Sequence, residues 1–452
     1  MTKENTIGFT IAVGLASGGV IFLNAADIQQ FYFIEDIFSF CMVGKMIIED
    51  RFGIVEYGPL TGNERIMLSY GDEKSRRIVF NIIKISKVTM SSPTISTDGT
   101  QLAIYFVDTT YKNMTKKKFS KSWSNTNALT IMNDIITNMG ESEGDLNKIL
   151  LKRYDDTDTN LSLVMPYWTP MEAIQWINKR TKPKGSKTIG KNLGGYLYYN
   201  NTYWDTNYGT NKDNNFTAAW KSINSLFSEP ANIKSDWKDP LVYVFSGGEK
   251  GGDDPTYVNK ILDWRYGGID YSYSKKLQGG RMLSFNFDGK TFIDRTYKYS
   301  KKNDKQGVNW GMIDTITLLG NKSLFVDISE RDSNINITSE INTNILDNMF
   351  YHEWLRRYSV QQTLSIIVKG WEKRFAGKMI ELNWPSSERT NKAGNENVKG
   401  PYLIKSITHN FGTKQGYTQR IVLLKNAYYR SRNDSLIDAT IKNTGIDQSL
   451  IK

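Results

Sequence analysis

The sequence predicts a mainly β protein with an α+β insert: two antiparallel β-barrel or sandwich domains and one small mixed α/β domain. Three observations lead there. The chain has 452 residues, more than one ordinary core organises. It is rich in strand-forming aromatics, with 11 Trp, 25 Tyr and 20 Phe. Period-two alternation dominates towards both ends, while the helical period appears only in the middle.

The elements follow in order. Ile7–Leu23 is apolar and uncharged but interrupted by glycines, so it reads as a buried hairpin. At 17 residues it is short for a membrane span, and it lacks the basic start and cleavage site of a signal peptide. Stable membrane insertion is therefore not expected, and folding in a cytoplasm is. Lys45–Leu60 reads as a strand, a turn at Arg51–Phe52–Gly53 and a second strand. Asn63–Met90 gives two long strands around a polar turn near Gly71–Asp72, and Gly99–Tyr111 adds another.

The period then changes. Tyr111–Lys121, dense in lysine, reads as a wet loop before a helix. Asn125–Gly140 places Leu129, Met132, Ile135 and Ile136 on one helical face. In the next helix Thr169 is the N-cap, Pro170 the first helical residue, and Ala173, Ile174 and Ile177 the apolar face. Strands resume at Gly194–Asn201, at Gly267–Ser300, and from Gln362 to the Tyr-led last strand. In Gly400–Phe411, Tyr402, Ile404 and Ser406 alternate with Leu403, Lys405 and Ile407, giving a strand with two differently composed sides. The expected division is 1–115, first β domain; 116–230, mixed α/β domain; 231–300 with 350–430, a split second β domain; 301–349, a polar connection; and 431–452, an exposed tail.

No catalytic, cofactor-binding or metal-ligating residue is assigned. His352 and His409 are the two histidines and share no helical i, i+4 spacing. His409 is read as a packing or hydrogen-bonding residue near a strand end. Cys41 is alone in an apolar run and reads as a buried inert thiol. The glycine-rich Ser246–Asp254 lacks the Gly-Lys-Ser/Thr ending of a phosphate cradle. Tyr154–Asn160 offers oxygens for Ca²⁺, but without the glycine and distal glutamate of a calcium loop it reads as a solvated turn. Scattered carboxylates such as those of Asp50–Glu56 make no specific pair. The net charge of +11 is spread along the chain, which argues for an acidic partner surface and against sequence-specific nucleic-acid binding.

One resemblance organises these pieces. Gly400–Asn426, with Gly400, Tyr402, Leu403, Ile404, Ile407, His409, Tyr417 and Leu423, resembles the last strands of the tube-like domains in baseplate hub proteins of contractile phage tails. Leu364–Pro385, with Gly370 and Gly377, is similar to the preceding pair in that family. Val164–Thr181, Gly194–Asn201 and Phe216–Pro230 resemble its inserted domain, and Ile34–Tyr70 resembles its opening tube-like domain. The resemblance spans about 1–430.

It implies a structural subunit without enzymatic activity or cofactor. It implies a homotrimer whose six tube-like domains meet the hexameric tail tube or its initiator on one side and a trimeric central spike on the other. Tape measure and baseplate wedge proteins are further implied partners. The implied location is the virion, at the tail baseplate, after assembly in the host cytoplasm. The alternatives are a tail-tip glycan hydrolase, a carbohydrate-binding adhesin, or the hub of a related contractile injection system.

Overall fold

The computed structural model describes residues 9–15, 18–50, 62–71, 76–88, 100–140, 151–184, 195–203, 217–228, 242–243, 259–269, 279–286, 291–300, 315–318, 328–329, 348–349, 352, 356, 362–382, 400–412 and 416–425. The turn expected at Arg51–Phe52–Gly53, the stretch Ser246–Asp254 and the tail 431–452 lie outside them.

The chain is mainly β with a small helical insert, as expected. The first run of strands is β1 (Thr10–Gly14), β2 (Val20–Leu23), β3 (Ile28–Asp36), β4 (Val43–Asp50), β5 (Arg65–Tyr70), β6 (Arg76–Val88) and β7 (Thr100–Asp108). The insert follows with α1 (Tyr111–Thr115), β8 (Phe119–Asn127), α2 (Ala128–Gly140), β9 (Leu151–Tyr154), β10 (Asn160–Trp168), α3 (Pro170–Arg180), β11 (Tyr196–Asn201), β12 (Thr217–Ser222) and α4 (Ile223–Ser228). The chain then returns to strands: β13 (Val242–Tyr243), β14 (Ile261–Ile269), β15 (Gly279–Asn286), β16 (Thr291–Ser300), β17 (Thr315–Leu318), β18 (Ile328–Ser329), β19 (Gln362–Lys369), β20 (Met379–Leu382), β21 (Gly400–Gly412) and β22 (Gly416–Lys425).

Most strands belong to one sheet of order β14-β19-β22-β21-β3-β4-β7-β6-β5-β1-β2, with β20 beside β21 and β13 beside β20. Strands β15–β18 form a separate four-stranded sheet. Two of them, β17 and β18, fall within the stretch read as a polar connection.

The Ile7–Leu23 hairpin is present as β1–β2, with Ile11 opposite Leu23. It is not fully buried: Val20 and Phe22 project into solvent. The lysine-rich Tyr111–Lys121 is not a loop. It supplies α1 and the start of β8, because Met114 and Phe119 anchor it to the insert core. Helix α2 buries Ile131, Met132, Ile135 and Ile136. Helix α3 begins as expected: Thr169 accepts from the Glu172 amide, and Glu172 reaches back to the Thr169 amide. That capping box satisfies two otherwise orphaned donors.

Three cores result. The first gathers Phe31, Phe33, Tyr70, Phe80 and Phe106 with Met42, Met46, Leu68 and Ile104. The second is nearly all aliphatic: Leu364, Ile366, Val368, Ile380, Ile404, Ile407, Ile421 and Leu423, with Tyr243 and Tyr402. The third fills the insert around Ile135, Ile174, Tyr199 and Trp220.

The simple alternation expected for Gly400–Phe411 breaks at Lys405. Ile404 pairs with Leu423 and Ser406 with Val422, so Lys405 is a β-bulge. The bulge shifts parity, and Ile407, expected on the face opposite Tyr402 and Ile404, joins them in the same core.

Candidate functional site

Strand β21 runs out of the second core and into the first, pairing with β3 from Ser406↔Asp36 to Phe411↔Phe31. At this crossing the sequence puts polar residues on inward positions. Phe31, Phe33 and Glu35 share one face of β3; His409 and Phe411 share one face of β21; Tyr417 and Gln419 share one face of β22.

The result is a buried polar joint. Glu35 is fully buried and accepts from the Thr202 amide at 2.7 Å, the Ala376 amide at 3.1 Å and the Thr202 hydroxyl at 3.3 Å. His409, also fully buried, stacks on Phe33 with centroids 4.2 Å apart and planes 7° apart. Its Nε2 lies 3.2 Å from Glu35 Oε1 and its Nδ1 lies 2.7 Å from the Tyr417 hydroxyl.

Gln419 Nε2 donates to the Tyr417 oxygen at 2.8 Å and to the Trp371 carbonyl at 3.0 Å. The Tyr417 oxygen lies against Nδ1 as well, and Nε2 donates to the Glu35 carboxylate. Burial holds the Tyr417 hydroxyl well above the usual tyrosine range, which keeps its proton in place.

Two arginines close the joint. Arg374 donates to Gln419 Oε1, to the Lys369 carbonyl at 2.6 Å and to Asn259 at 3.0 Å. Arg76, from β6, donates to the carbonyls of Thr202 at 3.1 Å and Glu372 at 2.8 Å. Burial lowers the Arg76 pKa, and neighbouring Tyr70 and Glu372 oppose the shift. The first β unit, the insert (through Thr202) and the second β unit are thereby tied at one point.

His409 is therefore a hydrogen-bonding and packing residue, but it lies inside β21 and not at its end. Sequence reasoning missed its partners. Glu35 carried a usable signal, a carboxylate at an inward strand position following Phe31 and Phe33. His352 is buried elsewhere, and burial pulls its pKa down to about 3. Cys41 is buried, and burial pushes its thiol up. Asp155 of the Tyr154–Asn160 turn is engaged by the Ser222 amide, the Ser225 hydroxyl and Lys221. Among the described residues no group of three or more His, Cys, Asp or Glu is placed to hold a metal, and no helix is long and apolar enough to cross a membrane.

The strand plan contains a repeat. In the first unit β3 pairs with β4, β4 with β7, β7 with β6 and β6 with β5. In the second unit β14 pairs with β19, β19 with β22, β22 with β21 and β21 with β20. The five strands come in the same chain order, and every pair is antiparallel. The bulges match as well: Ile83 on β6 stands where Lys405 stands on β21. The residue before each bulge donates to the residue before the short strand, Ile82 to Glu64 at 3.1 Å and Ile404 to Lys378 at 2.9 Å.

In this correspondence β6 matches β21, and β14 matches β3. The half of β21 beyond its bulge is sealed by β3. The matching half of β6, residues 84–88, pairs with β7 on one side and with no other described strand, and among the described strands β14 pairs only with β19. Beside these edges Ile83, Leu262 and Trp264 are each about half exposed.

No protein-family model matches the chain, and no curated protein matches it in sequence. Solved structures do match. The tail protein from Neisseria meningitidis MC58 aligns over 93% of this chain and 98% of its own, at 10% identity and TM-score 0.51. The 43 kDa tail protein of prophage MuSo2 from Shewanella oneidensis aligns over 93% and 99%, at 10% identity and TM-score 0.50. A component of the type VI secretion system from E. coli aligns over 90% and 76%, at 8% identity and TM-score 0.41, too low to add to the assignment. The chain thus has the fold of phage tail proteins.

Proposed function

We propose that this chain is a structural subunit of a phage tail, and within it the baseplate hub, three copies of which close a ring between the hexameric tail tube and a trimeric central spike. The observation that carries this reading is the internal repeat with one sealed seam and two edges that have no partner among the described strands. Residues 84–88 of one copy and β14 of the next stand to each other as β21 and β3 stand within one copy. A contact between unlike edges generates a closed ring when its rotation closes, and it covers edges that would otherwise template aggregation.

The side chains suit such a contact. On β14, Trp264 and Tyr266 lie opposite the buried Ile366 and Leu364, so the apolar side of the sheet runs out to the edge. On β6, Ile85 lies opposite buried Ile104. Asp263 on β14 offers a carboxylate to Lys84 on β6. In a trimer each subunit would present two similar β units, which would give a tube six near-equivalent partners and a spike three identical ones. The role is mechanical, without turnover or cofactor, and places the protein in the virion tail. The hub of a related injection machine would use the same geometry.

Native mass spectrometry tests the reading. The parent should be a trimer at micromolar concentration. Trp264→Asp and Ile83→Asp should each be monomeric with unchanged far-UV circular dichroism. Mixed, they retain one intact pair of edges and should stop at a 1:1 dimer. A monomeric parent, or trimers formed by either variant, would overturn the proposal.

A further inference from the structure

On the basis of the ring, we propose that Arg374 is the positioning residue of the β14 edge and that it ties this edge to the seat of the insert. Ring closure and insert seating are then coupled, so that whatever loosens one loosens the other.

Arg374 stands in the connection between β19 and β20 and is buried. Its guanidinium serves the second β unit. It donates to the Lys369 carbonyl at the end of β19 at 2.6 Å, to Asn259, two residues before β14, at 3.0 Å, and to Gln419 on β22. Its Cζ lies 5.5 Å from the ring centres of both Tyr243 and Trp371. The first residue of β14, Ile261, pairs with Val368, next to Lys369. The guanidinium thus pins the start of β14 to the end of β19. Among the described strands β14 has no partner but β19, so its place depends on that ladder and on this corner.

The backbone of the same connection is gripped by the insert. The Arg374 carbonyl accepts from the Thr202 hydroxyl at 3.2 Å. Asn201 Nδ2 donates to the Ala376 carbonyl at 3.0 Å, and Arg153 donates to the Gly377 carbonyl at 3.3 Å. Tyr203 meets Phe375 edge-on with centroids 5.0 Å apart. Residues of the insert therefore set where Arg374 stands, and its side chain sets where β14 begins. A guanidinium is a fork of fixed geometry and cannot follow a displaced backbone while keeping every partner. A buried cation short of acceptors is costly. The insert can leave its seat only by disturbing the β14 corner, and by linkage the coupling runs both ways.

The test uses the full chain. Thr202→Val keeps the amide that bonds Glu35 and removes the hydroxyl that bonds the Arg374 carbonyl. Asn259→Ala removes the acceptor before β14. Neither residue belongs to residues 84–88 or to β14. In both variants the trimer's dissociation constant, read by native mass spectrometry on dilution, should rise about tenfold. Amide exchange should speed up in β14 while β4 and β7 keep the parent rates. Thr202→Ser restores the hydroxyl and should return both readings to those of the parent. In the reciprocal direction, the monomeric Trp264→Asp should exchange its Thr202 and Tyr203 amides faster than the parent trimer does. If Thr202→Val does not fold, this reciprocal reading decides, and unchanged exchange at Thr202 and Tyr203 would overturn the coupling. Parent-like dissociation and β14 exchange in a folded Thr202→Val, or exchange raised equally in all strands, would overturn the coupling and leave the ring standing. A monomeric parent would overturn the ring, and β14 exchange in Thr202→Val would then decide the link between the insert and this edge by itself.

Discussion

The two β units follow one strand plan over differently built cores. The first packs Phe31, Phe33, Phe80 and Phe106 as a cluster of rings, Phe31 and Phe106 stacking with centroids 5.1 Å apart. In the second unit Leu423 stands in the place of Phe106 and Tyr402 in that of Phe80, while the places of Phe31 and Phe33 fall to Trp264 and Tyr266, exposed on β14, so its buried core is left mostly to leucine, isoleucine and valine. Strand order, the bulge and the backbone contact before it are shared, while the apolar side chains are not. A pleated scaffold accepts any apolar set of suitable volume at inward positions. What the two units cannot vary independently is their seam. There the aromatic end of β21–β22, with His409, Phe411 and Tyr417, leaves the aliphatic unit and packs in the aromatic one.

The largest expected effect therefore lies at the seam. Glu35→Ala would strand the Thr202 and Ala376 amides and the His409 N–H without their acceptor. A loss of about 3–5 kcal/mol is expected, a large share of an ordinary domain's margin. Its neighbour Asp36 faces the other side, accepts from the Phe38 amide at 2.8 Å and sits 3.6 Å from Lys405. Asp36→Ala should lose only about 1 kcal/mol. Urea unfolding of both variants decides the point, and equal losses would refute the special place given to the joint.

Next come two glycines, one for each unit. A Cβ on Gly44 would meet the Phe106 ring at 2.2 Å, and one on Gly370 would meet the Tyr417 ring at 2.1 Å. Neither clash is with a flexible side-chain end, so Gly44→Ala and Gly370→Ala should each lose about 1–3 kcal/mol by overpacking. If Gly370→Ala melts like the parent, the ring of Tyr417 is not fixed by the joint as described.

Much of the fold was legible in the sequence, because its elements carry local signals. Thr169 and Pro170 announce a helix start, and Met132, Ile135 and Ile136 announce its predecessor's buried face. Strand β8 was not legible: Ser120 and Ser122 mark one side, and on the other Lys121 stands between Phe119 and Trp123, so the polar stretch reads as loop. The bulge at Lys405 leaves no compositional trace, and alternation alone places Ile407 on the wrong face. The joint was hidden for a different reason: Glu35, Thr202, Arg374, His409 and Gln419 are far apart in the chain, and each is unremarkable where it stands.

The smallest expected effect sharpens the comparison at one matched position. Phe80 pairs with Asp108 in the first unit. In the second, Leu403 pairs with Leu424, and Tyr402 and Lys425 lie one step further along. Asp108 and Lys425 thus occupy corresponding places, both buried, with opposite charge. Asp108 is surrounded by donors: the Met42 amide at 2.6 Å, the Thr110 amide at 3.0 Å, the Thr110 hydroxyl at 2.6 Å and Asn200 at 3.0 Å. Lys425 stacks 5.3 Å from the Tyr402 ring centre, and burial lowers its pKa from 10.5 to about 8. A lysine whose folded value lies below its unfolded value penalises the folded state while charged. The penalty is fully present below pH 8 and is relieved as the pH rises from about 8 towards 10.5. Lys425→Met should therefore melt higher than the parent at pH 7, by a degree or so, and the gap should shrink as the pH approaches 9.5. Asp108→Leu, which discards a satisfied carboxylate and leaves its donors stranded, should melt lower than the parent at pH 7. Melting curves across that range test both. A gap for Lys425→Met that does not change with pH would mean that its charge is solvated in the folded chain, and the contrast between the two positions would fail.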